Sequence, residues 1–280
     1  MKRSKFLPVF AVVLCVPGVV ARALHFLNGF DSRNGLPVTG NAWVWYCAVF
    51  FLLCAAAYAA MAAPLRAERK TPFEQLLGTQ GVGFRMMAVI SGLLLVLGGV
   101  GYLYLTMTTV EEDAAGWAQA LELAYAGITV LAGLCSIGLA KAQGVEMTSH
   151  SALLTLVPLL WSCLHLLVNY RMTCVDPKLP SFGFGLVGDI LLVLAFYHLA
   201  RLLYGKPRPA MLAFFGAIAV TMAVSDAAGY GLSWLMGVHG VAWPAKMVQR
   251  SGLSVAAALL LLAELSVLTA GHQEMEKEVA

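Results

Sequence analysis

The amino-acid sequence predicts an all-α, polytopic membrane protein in which residues 1–280 form a single integral membrane domain. Hydrophobic residues make up 60% of the chain and charged residues 12%, against roughly 45–50% and 25% in an average soluble protein. The apolar residues also form long blocks, close to the ~20 residues that a helix needs to cross a bilayer. This composition excludes a soluble globular domain, a disordered chain and a disulfide scaffold.

Eight of these blocks are long enough to cross the bilayer, so the sequence predicts eight transmembrane helices. They cover residues 7–27, 43–63, 84–106, 117–140, 151–170, 184–204, 210–236 and 250–271. Strands of a membrane barrel would alternate apolar and polar residues, and these blocks do not. The longest connection, residues 64–83, has room for one short interfacial helix. Residues 272–280 are polar, and we expect them to fray as a cytosolic tail.

The distribution of Lys and Arg predicts that both termini are cytoplasmic, because cytoplasmic segments of membrane proteins are enriched in these residues. In this orientation the cytoplasmic segments hold twelve of them: Lys2, Arg3, Lys5, Arg66, Arg69, Lys70, Arg85, Lys141, Arg201, Lys206, Arg208 and Lys277. The outer segments hold five: Arg33, Arg171, Lys178, Lys246 and Arg250. The remaining arginine, Arg22, lies within the first block.

The N-terminal segment has a second interpretation as a cleaved secretory signal. Residues 1–23 have a basic start, an apolar middle and the sequence Ala21-Arg22-Ala23, which together describe such a signal. Cleavage would leave seven helices and an N-terminus on the outer side. The apolar run continues beyond residue 23 to Leu27, which favours a retained helix.

Similar residues recur in residues 1–144 and 150–271, which suggests two parallel four-helix repeats. One matching pattern is Val16-Pro17 with His25 and Asn28 in the first helix, against Val157-Pro158 with His165 and Asn169 in the fifth. The alternative is that Trp, Tyr, Gly and Pro collect near membrane boundaries in any protein. Glycine clusters at 98–101 and 133–138 additionally predict close packing of the third and fourth helices.

Polar residues within the apolar blocks are the main indication of function. A charged side chain at a helix centre costs on the order of 2.5–3.5 kcal/mol on the insertion scale, so it usually faces protein or water. Seven polar residues lie at similar depth in the outer half of the predicted bundle: Arg22, His25, Glu122, His165, Asn169, Asp189 and Asp226. We expect them to converge on an outward-opening cavity that binds a substrate or an ion.

Asp226 is the strongest single candidate, because its short side chain cannot reach the headgroups. Arg22 is the natural partner for one or more of the carboxylates, since a guanidinium stays charged and offers several donors. The alternative for Arg22 is that it extends to the outer headgroups. Glu122 and Asp189 have an alternative as solvated carboxylates near helix N-termini, and His25 as a residue at a helix end.

Glu264 and His198 form a second set, in the predicted inner half. Together with the outer layer they would make a line of titratable groups across the membrane, as in proton-coupled carriers, and we consider them an inner proton relay. The alternative is that Glu264 pairs with Arg201 or His198 only to hold two helices together.

The sequence contains no motif that predicts a metal, a cofactor or a nucleic-acid partner. It has no CxxC pair, HExxH motif, Walker loop, dinucleotide fingerprint or GxSxG elbow, and no basic stripe. A membrane enzyme acting on a lipid is therefore the least favoured of three functions. A secondary carrier or ion pathway for a small solute in the plasma or inner membrane is favoured. A membrane-embedded sensor or assembly partner, bound to another protein or to a second copy, is the alternative.

Overall fold

The computed structural model describes residues 4–31, 33–68, 71, 73–79, 81–109, 116–143, 153–174, 179–237 and 244–279. Nine α-helices are found in these ranges: α1 (Leu7–Gly29), α2 (Trp43–Ala62), α3 (Phe73–Leu77), α4 (Val82–Thr108), α5 (Gly116–Ala142), α6 (Leu156–Thr173), α7 (Leu179–Leu203), α8 (Pro209–Leu235) and α9 (Ala245–Val279). A 3-10 helix, Ala63–Glu68, continues α2. The described residues contain no β-strand and a single isolated antiparallel β-bridge, between Phe30 and Pro37.

Seven of these helices are long and apolar enough to cross a membrane: α1, α2, α4, α5, α7, α8 and α9. The predicted all-helical membrane class is therefore confirmed. The eighth expected span corresponds to α6, an 18-residue helix that is not among the seven. His165, Asn169 and Arg171 lie within it and make it less apolar than the others.

Two helices, α8 and α9, form the centre of the bundle. In their most apolar segments 67% and 72% of the residues are buried, compared with 28–44% in the other five. Helix α9 lies between α4 and α8, while α1 and α7 pack on α8 and α5 packs on α4. The outer surface is apolar, with Val16, Leu52 and Leu97 largely exposed. An apolar exterior of this extent suits contact with lipid tails.

Glycines allow two helix pairs to pack closely, as expected of the clusters in the third and fourth spans. A Cβ added to Gly133 would lie 2.5 Å from the Gly92 carbonyl oxygen and 2.9 Å from the Val96 nitrogen, so α4 and α5 touch backbone to backbone. A Cβ on Gly229 would lie 2.6 Å from the Cβ of Arg22. This second contact brings α8 against α1 beside Arg22.

Helix α9 differs from the prediction at both ends. It begins at Ala245, before the predicted start at residue 250, so that Lys246 and Arg250 lie inside the helix. It also continues to Val279, so the described part of the predicted tail at 272–280 is helical, and its fraying stays a prediction.

The proposed duplication stays a prediction. Each half contributes four long helices, but the helix contacts do not repeat in the same pattern. Helix α7 packs on α6 as its counterpart α2 packs on α1, but α7 also packs on α8, whereas α2 has no comparable contact with α4 among the described residues and packs on α8. Several predicted boundaries and counted charges lie outside the described residues: residues 144, 150–152 and 280, Lys2, Arg3, Arg69, Lys70 and Lys178.

Candidate functional site

A buried ion pair joins α1 to α8. Arg22 donates from Nε to Oδ1 of Asp226 at 2.9 Å and from Nη2 to the same oxygen at 2.5 Å. Its side chain is 0% exposed, so it points into the bundle, and the alternative in which it extends to the headgroups is wrong. Nη1 of Arg22 also contacts Nδ1 of His25, one turn further along α1.

Aromatic rings cover this ion pair. The guanidinium carbon of Arg22 lies 4.4 Å from the ring centre of Phe26 and 4.7 Å from that of Phe184. The His25 ring lies 5.2 Å from the ring of Phe30, which begins the loop after α1. These contacts add cation–π attraction and exclude water from the pair.

A second polar cluster centres on Asp189 of α7. Asn169 of α6 donates from Nδ2 to Oδ2 of Asp189 at 2.6 Å, and Ser254 of α9 donates to Oδ1 at 3.2 Å. Nε2 of His165 lies 3.3 Å from the same Oδ1 and 2.7 Å from the Ser254 hydroxyl. Two helices, α6 and α9, therefore supply hydrogen-bonding groups to one carboxylate on α7.

Arg250 lies behind this cluster. Its Nε donates to Oδ1 of Asn169 at 2.5 Å, and its Nη1 donates to the Tyr102 hydroxyl at 2.9 Å. The Tyr125 hydroxyl in turn lies 2.7 Å from Nδ1 of His165. Arg250 is thus linked to Asp189 through the side-chain amide of Asn169, and the hydrogen bonds described here include none directly between Arg250 and Asp189.

Glu122 forms a third, separate cluster. Its Oε2 accepts a hydrogen bond from Nζ of Lys246 at 2.8 Å, and its Oε1 lies 3.8 Å from Nη1 of Arg171. Lys246 and Arg250, which the sequence assigns to the outer segments, are only 8% and 1% exposed, so their side chains are buried in the bundle. Their early position in α9 turns them inward.

The buried charges of the three clusters balance, and the partly exposed Arg171 adds one further cation beside Glu122. Three buried carboxylates, Asp226, Asp189 and Glu122, are accompanied by three buried cations, Arg22, Arg250 and Lys246. An uncompensated charge in this environment would be costly, and pairing removes most of that cost.

A small cavity separates the first two clusters. The carboxylates of Asp189 and Asp226 both line it, together with the other lining residues Asn169, Gly185, Leu186, Gly188, Ala223, Met247, Ser251 and Ser254. None of these described lining residues is a Lys or an Arg. The cavity volume is about 40 Å³, which accommodates two or three water molecules or one small ion.

Gly185 leaves one Asp226 oxygen accessible to this cavity. A Cβ at Gly185 would lie 2.9 Å from Oδ2 of Asp226, so any side chain there would obstruct that oxygen. The two Arg22 hydrogen bonds described above go to the other oxygen, Oδ1. Asp226 therefore presents one oxygen to Arg22 and the other toward Gly185.

The structure brings six of the seven predicted outer residues to this region. Asp226, Asp189 and Asn169 line the cavity, His165 contacts Asp189, and Arg22 with His25 adjoins Asp226; Glu122 is engaged elsewhere. Sequence reasoning missed five participants: Tyr102, Tyr125, Lys246, Arg250 and Ser254. The spacing of four that links Lys246, Arg250 and Ser254 would have placed all three on one helix face, had α9 been predicted to begin earlier.

The inner pair does not form the local contact that was the alternative interpretation, and the inner proton relay of Glu264 and His198 stays a prediction. Glu264 is 0% exposed and accepts a hydrogen bond from Nε2 of Gln143 at 2.8 Å. The His198 ring stacks on Phe215 at 5.5 Å, and Arg201 lies over an aromatic ring of its own helix. The alternative pairing of Glu264 with His198 or Arg201 is therefore replaced by a contact with Gln143, the residue that follows α5.

We predict that Glu264 carries a proton. Its Oε2 and the Oε1 of Gln143 are both buried without a hydrogen-bond partner among the described residues, and both are acceptors when Glu264 is ionised. A proton on Oε2 would donate back to the amide and satisfy both atoms. The infrared spectrum at neutral pH should show a protonated carboxyl band that Glu264→Gln removes. A spectrum with only carboxylate at this position contradicts the prediction.

Glu264→Gln serves as the conservative variant, because an amide makes the same two hydrogen bonds with Gln143. Glu264→Leu leaves Gln143 unsatisfied and should lower stability by about 1–3 kcal/mol.

The described residues contain no group of three or more His, Cys, Asp or Glu side chains that could hold a metal ion. Comparisons with protein-family models, with curated proteins and with solved structures gave no match to this chain.

Proposed function

We propose that this chain is a secondary carrier or ion pathway for a small cationic solute, with a proton or a monovalent metal ion as the simplest candidates. The observation that supports this most directly is the cavity shared by Asp189 and Asp226. Two carboxylates that face one small space, with no cation among its described lining residues, attract positive charge strongly where water is scarce. The volume of about 40 Å³ restricts the bound species to the size of a small ion or a few waters.

We also propose eight spans, with both termini cytoplasmic, in the plasma or inner membrane. The orientation of α6 supports its assignment as the eighth span. Leu160 and Leu167 are 53% and 50% exposed, whereas His165 on the same helix is 1% exposed. A helix that turns its polar residues inward and its leucines outward suits a lipid-facing position.

The arrangement of Asp226 suggests how binding and conformational change are linked. A cation near Oδ2 would compete with Arg22 for the negative charge of Asp226 and so weaken the contact between α1 and α8. A ligand shifts a conformational equilibrium by its differential affinity for the two states. The Arg22–Asp226 pair supplies such a difference, because its strength depends on whether the cavity is occupied.

Flux measurements on purified protein in proteoliposomes test this function. We expect sodium- or proton-gradient-driven flux, followed with radioactive sodium or an internal pH dye, to fall about tenfold or more in Asp226→Asn and in Asp189→Asn. Glu122→Gln is the matched control, since it also removes a buried carboxylate but lies outside the cavity. The double variant Arg22→Gln/Asp226→Asn avoids an unpaired arginine and should be equally inactive.

Flux that persists in both asparagine variants would contradict the proposed site. Cation-dependent thermal stabilisation without flux would favour the sensor, and reproducible copurification with one protein would favour the assembly role.

A further inference from the structure

A second cavity, of about 190 Å³, lies where α2 ends and α8 begins. Its apolar lining includes Ala59, Leu65 and Phe214, and its charged lining consists of Arg66 and Arg208. Arg208 precedes Asp226 on the chain by 18 residues, roughly 27 Å along a helix. The described lining residues of the two cavities do not overlap, so this cavity is independent of the proposed function.

The charge at this cavity is of one sign. Arg66 and Arg208 are exposed, and none of the described lining residues is acidic. Glu68, the acidic residue of the 3-10 helix, accepts a hydrogen bond from the Thr71 hydroxyl at 2.7 Å and does not line the cavity. Two guanidinium groups beside one apolar space repel each other, and an anion between them would relieve this repulsion.

We infer that this cavity binds the phosphate headgroup of an anionic membrane phospholipid. Guanidinium groups match phosphate oxygens with paired hydrogen bonds, and the first turn of α8, beginning at Pro209, adds a favourable dipole. The cavity lies at the ends of two apolar spans, which is the depth of lipid headgroups. It lies on the predicted cytoplasmic side, where anionic lipids attract basic groups.

The apolar side of this cavity favours a lipid over free phosphate as its ligand. Ala59 is exposed beside the cavity on α2, and Met211 is 36% exposed on α8, so an acyl chain has apolar surface to follow away from the arginines. Inorganic phosphate would gain nothing from this surface, because its contacts are polar.

Lipid binding to the purified full-length chain in detergent micelles tests this inference, with native mass spectrometry as the readout. We expect phosphatidylglycerol to remain bound, phosphatidylcholine to dissociate, and inorganic phosphate to bind at least about tenfold more weakly than phosphatidylglycerol. Arg66→Gln and Arg208→Gln should each weaken phosphatidylglycerol binding about fivefold, and the double variant about 25-fold. Arg85→Gln is the matched control, an exposed arginine at the start of α4 that does not line the cavity.

Ala59→Trp provides a second variant that fills the apolar part and keeps both arginines. It should weaken phosphatidylglycerol binding without changing phosphate binding. Unchanged phosphatidylglycerol binding in the double arginine variant, or equal retention of phosphatidylcholine, would overturn the inference. An equal loss in Arg85→Gln, or phosphate binding as tight as lipid binding, would overturn it as well.

Discussion

Replacing Arg22 with methionine should destabilise the folded bundle by about 3–5 kcal/mol, because it leaves the Asp226 carboxylate buried without its cation. The methionine keeps much of the apolar contact with Phe26 and Phe184, so the loss of stability mainly measures the removal of the positive charge. The free energy of unfolding in mixed micelles, titrated with a denaturing detergent, measures the effect.

The double variant Arg22→Met/Asp226→Leu removes both charges together. We expect it to recover most of the lost stability, since replacing a buried ion pair by apolar residues is often neutral or stabilising. Asp226→Leu alone leaves Arg22 buried without the Asp226 carboxylate, so it should lower the free energy of unfolding as much as Arg22→Met does. The coupling free energy from this double-mutant cycle should exceed about 2 kcal/mol. A loss below about 1 kcal/mol for Arg22→Met would show that the pair does not hold α1 against α8.

The second large effect is expected at Gly133, where α5 touches the backbone of α4. A methyl group there would lie 2.5 Å from the Gly92 carbonyl oxygen and 2.9 Å from the Val96 nitrogen, and neither atom can rotate away. Gly133→Ala should therefore separate the two helices and lower stability by about 1–3 kcal/mol, as overpacking does. Thermal unfolding in detergent, followed by loss of the monodisperse peak on gel filtration, provides the measurement.

Gly127 on the same helix is the matched control. A Cβ at Gly127 meets nothing within 4 Å, so the same substitution adds a methyl group without a clash. Gly127→Ala should be neutral or stabilise the helix by up to about 1 kcal/mol, because alanine loses less backbone entropy than glycine. If Gly133→Ala were as well tolerated as Gly127→Ala, the backbone contact between α4 and α5 would be refuted.

The candidate site was predictable from sequence in part, and particular residues show why. Asp226 and Asp189 interrupt long apolar blocks, where an ionisable group is expensive, so composition alone marks them as unusual. Glu122 interrupts its block in the same way, yet it pairs with Lys246 and lies outside the cavity. The cost of burial is the same for all three carboxylates, so it cannot tell a cavity-lining acid from one that is held in an ion pair.

Lys246 and Arg250 are participants that the sequence did not mark as unusual. The sequence places them at the edge of an apolar block, where a lysine or an arginine usually reaches water, and nothing in the local pattern distinguishes a buried cation from an exposed one. Their role depends on α9 beginning at Ala245 and on Glu122 and Asn169 facing it from α5 and α6.

By itself the sequence determined the helical membrane class, the approximate position of seven apolar helices and the height of each polar residue along them. Height follows from sequence because a helix rises by a constant amount for each residue and because lipid excludes charge. Only the tertiary structure decided which residues meet, since this depends on the rotation of each helix and on its neighbours. The rotation and the neighbours of each helix are set by contacts between segments that are distant in sequence, such as Gly229 against Arg22 and Gly133 against Gly92.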